Sequence, residues 1–262
     1  MRVLRLIGAL AVIAAGPAFA EPAVSVVGNE FRITRADGSV AAGEGLVGAV
    51  LSVAIGEGPV HDIRIDAVET DPDDPEITLY GLSYRDPASG AWADLCEPDP
   101  KGRRRGFPLP GAWAATGEYR PDAPGFVLTC TSGAQGKCVR FGYKPWKDGV
   151  NGVPMRELYQ ACTRMVRADY CGDGIGTTRN GMPIDVYDRF GIQKEDKDAP
   201  LSFEAGWGPD GAVCVARVRV PENTSLDALL HSCPRKLAGR TGADCSAERA
   251  LTLPGVLIRN KS

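Results

Sequence analysis

Five acids crowd one stretch of this sequence: Asp169, Asp173, Asp185, Asp188 and Glu204. Two such carboxylates can act as general acid and base on a glycosidic bond when their surroundings split their pKa values. A simpler reading is local. Asp169 and Asp173 would accept backbone hydrogen bonds in a turn and pair with Arg164 or Arg167. The local reading is preferred, because spacing along a chain does not fix a carboxylate separation. Motifs for a nucleophile, a phosphate loop or a zinc protease are missing: there is no GxSxG, GxxxxGK[ST] or HExxH. No catalytic residue is named, and the balance leans away from an enzyme.

Metal chemistry is equally thin. Asp71-Pro72-Asp73-Asp74 and the Asp169–Asp173 turn are rich in oxygen, but neither has the alternating ligands of an EF-hand loop. The two histidines, His61 and His231, sit in no metal-ligand pattern. No metal and no cofactor are expected. Tyr143, Trp146, Tyr170, Tyr187 and Trp207 could form a sugar- or peptide-binding surface, although a β-domain core is the commoner place for such rings. Lys101-Gly102-Arg103-Arg104-Arg105 could meet an anion or an envelope polymer. A solvated loop is the preferred reading.

The eight cysteines are Cys96, Cys130, Cys138, Cys162, Cys171, Cys214, Cys233 and Cys245. Their even number in an exported chain implies disulfides, with 105 connectivities open for four bridges. No CxxC pair is present, which argues against a thioredoxin site or a zinc ribbon. One bridge is predicted outright, Cys130–Cys138 across a hairpin containing Gly133 and Gly136.

Export is read from the first residues. Arg2 and Arg5 precede an apolar run from Leu6 to Ala15, and Pro17 and Ala18-Phe19-Ala20 follow it. This order predicts a cleavable signal peptide, Met1–Ala20, and secretion or a periplasmic address. The run would span about 15 Å as helix, half a bilayer core. No later stretch is long enough for a membrane span. The formal charge is −3, and removing Arg2 and Arg5 leaves the mature chain at −5, against general nucleic-acid binding.

The elements that must position these residues are mostly strands. Phe31–Thr34, Ile63–Val68 and Ile77–Tyr80 alternate apolar with polar, and Leu46–Ala54 reads as a more buried strand. Asp37-Gly38, Gly56-Glu57-Gly58 and Asp71-Pro72-Asp73-Asp74-Pro75 mark turns. Residues 97–125 lack periodicity and read as a long surface excursion. Pro154–Ala168 reads as a helix with the apolar stripe Leu158, Cys162, Met165 and Val166, and with Arg156, Arg164 and Arg167 off it. Strands over Leu201–Ala205 and Val213–Val220 flank a turn at Gly208–Gly211. A short helix opens at Thr224-Ser225-Leu226-Asp227. The fold class is therefore α+β, predominantly antiparallel β with one or two helices, stabilised by disulfides.

Three stretches are dense in Gly, Asp, Cys and aromatic residues. They are Cys130–Cys138 with Gly142-Tyr143-Lys144-Pro145-Trp146, then Arg167-Ala168-Asp169-Tyr170-Cys171-Gly172-Asp173-Gly174 continuing to Asp188, and Phe203–Cys214. Together they resemble the ADYC domain family, exported bacterial proteins named for the tetrapeptide found here as Ala168-Asp169-Tyr170-Cys171. Gly172-Asp173-Gly174 and Tyr143-Lys144-Pro145-Trp146 follow the same pattern. The resemblance runs from the Cys96 region to the C-terminus. It implies export, disulfides and a bacterial source, and it carries over no catalytic residues. The expectation is a single exported domain over 21–262 with core motifs in 96–262. Its role would be a binding or structural module of the cell envelope or extracellular space, with an unidentified ligand or envelope component as partner. The alternative is an envelope-glycan hydrolase using carboxylates of the Asp169–Glu204 region.

Overall fold

The computed structural model describes residues 23–54 and 58–262. The signal peptide expected over Met1–Ala20 and part of the Gly56-Glu57-Gly58 turn lie outside the described residues. The first half is β1 (Ala23–Val27), β2 (Glu30–Thr34), β3 (Val40–Ala42), β4 (Val50–Ala54), β5 (Val60–Asp71), β6 (Asp74–Arg85), β7 (Trp92–Asp94), β8 (Gly106–Pro110), β9 (Ala112–Trp113), β10 (Tyr119–Arg120) and β11 (Phe126–Cys130). Two helices follow, α1 (Ala134–Arg140) and α2 (Met155–Arg167), then β12 (Asp185–Asp188), β13 (Phe203–Gly208) and β14 (Gly211–Val215). The chain continues through α3 (Leu226–Ser232), α4 (Pro234–Leu237), α5 (Ala247–Thr252) and β15 (Ile258–Lys261).

All strand pairings within the four described sheets are antiparallel, so the α+β class with β predominating is the one observed. The six-stranded sheet runs β11-β8-β6-β5-β4 with β7 beside β6, and the four-stranded sheet runs β12-β15-β13-β14. β5 and β6 are twelve residues each and turn at Pro72-Asp73. Ile63 and Ile65 on one strand, and Ile77 and Leu79 on the other, alternate inward with period two. One buried cluster extends from Phe31 in β2 to Ile258 in β15.

Two expectations are corrected here. Residues 97–125 are not a surface excursion, since β8 lies inside the large sheet with Phe107 and Leu109 fully buried. Pro108 and Pro110 disguise it. Hydrogen bonds from Gly111 to Gly125 and from Thr131 to Arg105 place the β8–β11 ladder on odd-numbered residues. The prolines thus occupy positions that need donate nothing to it. The hairpin bridge is also wrong, because residues 134–140 form α1. Cys138 faces Cys162 on α2 and bonds to it, while Cys130, ending β11, bonds to Cys96. Gly136 marks close packing rather than a turn: a Cβ there would lie 2.2 Å from the Cys130 carbonyl oxygen. The remaining bridges are Cys171–Cys233 and Cys214–Cys245.

Ion pairs clamp the first half to the second. Arg140 of α1 reaches Asp71 at 2.6 Å and Asp73 at 2.7 Å at the β5–β6 turn, and Asp99 at 3.4 Å. The basic run at 101–105 is neither an open anion site nor a merely solvated loop. Lys101 pairs with Asp73, Arg103 with Asp99, Arg104 with Asp94, and Arg105 with Glu69. Lys144 binds both Asp74 and Glu76, and Lys147 binds Glu76.

Two measurements follow from this frame. A non-reducing peptide map should recover Cys96–Cys130, Cys138–Cys162, Cys171–Cys233 and Cys214–Cys245, and a Cys130–Cys138 peptide would contradict the placement of α1. Hydrogen bonds from Lys144 and then Lys147 hold the Glu76 carboxyl down at about 2, against an ordinary 4.5. A lowered carboxylate stabilises the fold above its ordinary pKa, and that stabilisation fades as pH falls towards 2. Urea midpoints of wild type and Glu76→Gln should therefore differ most above pH ~5 and converge near pH 2; a pH-independent gap would contradict the clamp.

Candidate functional site

Helix α2 leads into the acid-rich stretch. It is buried almost all round, including Arg164, which the apolar stripe placed outside. The correction has a cause in polar contacts. Arg164 Nη1 meets Asp169 and the Thr116 carbonyl, both at 2.6 Å, and Nε meets the Pro209 carbonyl at 3.2 Å. Ala168 ends the helix in the left-handed region at φ 51°, and the amides of Ala168 and Asp169 close onto the carbonyls of Met165 and Arg164.

The backbone then wraps the Asp169 carboxylate. Oδ1 accepts from the amides of Gly172 and Asp173, and Oδ2 accepts from the amide of Gly174 and from Arg164. All four carboxylate lone-pair positions are thereby occupied. Gly172 has φ +73°, and a Cβ there would lie 1.7 Å from the Asp210 carbonyl oxygen, so only glycine fits. Asp173 is exposed and accepts from the Ile175 amide.

Tyr170 turns inward from the same loop and stacks on Trp207, with ring centroids 5.1 Å apart. Its hydroxyl donates to Glu204 and accepts from the Arg219 amide. Burial, and then the Glu204 charge, push the phenol far above its ordinary range, so it stays a donor. Glu204 and Arg219 form an ion pair with side chains 0% and 1% exposed. Asn260 of β15 donates to Glu204 at 2.7 Å and accepts from Trp207 Nε1 at 2.8 Å. The Arg219 guanidinium spends its donors on Glu204, on Thr178 Oγ1 and on the carbonyls of Met165 and Val166.

The other sequence candidates are engaged to different degrees. Asp188 accepts from the amides of Phe190, Ile192 and Gln193 and from the Tyr143 hydroxyl. Asp185 lies 3.7 Å from Lys261 and accepts from the Asp196 amide. Tyr143, Tyr170, Tyr187 and Trp207 are buried and Trp146 half-buried, so these rings pack the core instead of forming one open face. Among the described residues no cluster of three or more His, Cys, Asp or Glu side chains could hold a metal ion.

Two concavities stand out among the described residues. The larger, about 450 Å³, lies between the start of α1, the end of α2 and residues 176–184. It is lined by Lys137, Arg167, Arg179 and Arg219, by the neutral polar Ser132, Thr178 and Asn180, and by no acid. Phe141, Val166, Met182 and Ile184 supply its apolar wall. The smaller, about 290 Å³, is lined by Glu118, Glu157, Asp210, Arg156 and Arg164 among others.

A family model, the ADYC domain, matches residues 43–221. The chain belongs to the ADYC domain family. No curated protein and no solved structure matches it. Every residue of the tetrapeptide that gives ADYC domains their name has a structural task in this one. Ala168 ends α2, Asp169 gathers the loop, Tyr170 anchors it to the second sheet, and Cys171 ties it to Cys233. The ADYC match ends before β15, Cys233 and Cys245, yet Asn260, Cys171 and Cys214 bind across that limit.

Sequence reasoning missed the large cleft of this ADYC domain. Lys137 and Arg179 stood inside motif-dense stretches, but nothing local to either shows that the Cys138–Cys162 bridge sets α1 against α2. A sharp test of the frame is Glu204→Gln, which leaves Arg219 buried without its counter-charge. It should cost about 3–5 kcal/mol in urea unfolding, while Tyr170→Phe, which keeps the ion pair, should cost about 1–3. A loss below about 1 kcal/mol for Glu204→Gln would refute the frame's dependence on this pair.

Proposed function

We propose that this ADYC domain is an exported binding or structural module of the cell envelope or extracellular space, with its ligand held in the cleft between α1, α2 and residues 176–184. One observation carries the reading. Asp169, Asp188 and Glu204 each accept four hydrogen bonds from the fold itself, which leaves them no free lone pair for acid–base work. Export is supported by the Met1–Ala20 pattern and by four disulfides. No described helix is long and apolar enough to cross a membrane.

A second reading, an envelope-glycan hydrolase, keeps Asp173 and Asp185 of the Asp169–Glu204 region, which the fold does not saturate, and adds Glu118, Glu157 and Asp210 in the lining of the smaller cavity. The two readings separate in one assay. Purified protein is incubated with peptidoglycan, and both co-sedimentation and release of reducing ends are followed. The module reading expects retention without release. Release that disappears in Glu157→Gln, with folding intact, would replace it with the hydrolase.

A further inference from the structure

We infer that the 450 Å³ cleft is a site for an organic anion with an apolar body, an inference that rests on the binding reading above. The chain carries more acids than bases, 33 against 30, yet the cleft is lined by four bases and no acid. These bases are not equivalent. Arg219 forms part of the floor, its charge met by Glu204 and its donors already taken. Arg167 is exposed and gives one donor to the Gly174 carbonyl. Lys137 is half-buried, and among the described residues neither it nor Arg167 pairs with a carboxylate. Arg179 reaches Glu222 at 3.5 Å, but both side chains are more than half exposed, so that pair exchanges readily with a ligand.

The positive side of the cleft therefore has two uncommitted charges and one exchangeable charge. Clefts of one sign with low-dielectric walls concentrate ions of the other. Here the walls are Phe141, Val166, Met182 and Ile184. Met182 stands 36% exposed at a position where a ligand would cover it. A fully hydrated inorganic ion would leave this wall unused. A cation would meet Lys137, Arg167 and Arg179 with no carboxylate in the lining. The complementary molecule has a carboxylate, sulfonate or phosphate group at one end and hydrocarbon at the other, within the 300–1,000 Å³ range typical of ligand pockets.

A matched pair of fluorescent probes tests this on the full mature protein. 1-Anilinonaphthalene-8-sulfonate and N-phenyl-1-naphthylamine share one ring system and differ in the sulfonate. The sulfonate should bind roughly tenfold more tightly at low ionic strength, and added salt should weaken it alone. Lys137→Gln with Arg167→Gln should bring its affinity to within about twofold of the neutral probe, and Lys137→Arg with Arg167→Lys should retain it. Should the double glutamine variant fail to fold, Lys137→Gln alone should still lose about threefold. Equal affinity for the two probes, or sulfonate binding unchanged by loss of the bases, overturns the inference. Equal affinities that both collapse in Met182→Glu would remove the anionic preference and leave the binding module standing. Peptidoglycan turnover in the assay above would remove the module reading itself.

Discussion

The ion pair between Glu204 and Arg219 is buried, and the second half of the molecule is arranged so that protein groups meet both charges. Two charges taken out of water carry a desolvation cost of several kcal/mol each unless every donor and acceptor finds a partner. Tyr170 and Asn260 complete Glu204, while two α2 carbonyls and Thr178 complete Arg219. Those partners come from the loop after α2, from β15, and from residues 165–178. A polar network of this kind demands that all of its elements arrive together, and an element out of place would leave a charge unmet. The apolar core holds the sheets closed, and this network fixes which surface of α2 they close upon.

Much of the local structure could be read from the sequence because local physics determines it. The 3.6-residue stripe of Leu158, Cys162, Met165 and Val166 located α2, and alternation over Ile63–Val68 and Ile77–Tyr80 located the central hairpin. The local reading of Asp169 as a turn acceptor paired with Arg164 was also the one observed. What escaped was set by distant partners. β8 was hidden by prolines at positions that donate nothing to its ladder with β11, and α1 by Gly136 inside a seven-residue helix and Gly133 at its N-cap. β15 is short and polar, Ile258-Arg259-Asn260-Lys261, and Asn260 serves a carboxylate 56 residues earlier. The same non-locality defeated the cysteine pairing, since Cys130 and Cys138 sit near each other in sequence but on elements that face different partners.

A residue can be distinctive in a sequence because chemistry needs it or because the backbone does. In this domain the most distinctive residues, the tetrapeptide and the glycine-rich loop behind it, are taken up by the backbone. The functional reading then passes to less conspicuous side chains, Lys137, Arg167 and Arg179, which meet at a cleft only after a disulfide has set two helices side by side. Among the described residues Lys137 and Arg167 pair with no carboxylate and Arg179 meets only the exposed Glu222, so the charges left over by the self-satisfied interior collect at the cleft.

The position of β15 has a consequence in time. It lies between β12 and β13, which precede it by more than forty residues in the chain and do not pair with each other. A polypeptide emerges from synthesis, and threads through a translocation pore, in sequence order. Until residues 258–261 are free, β12 has no neighbour in its sheet, Glu204 lacks one of its donors, and the sheet that seats Tyr170 stays open. For a chain exported as proposed, this order of assembly acts as a built-in delay. It keeps the C-terminal half slack enough to pass through a narrow channel and lets it lock only on the far side, where its cysteines can oxidise.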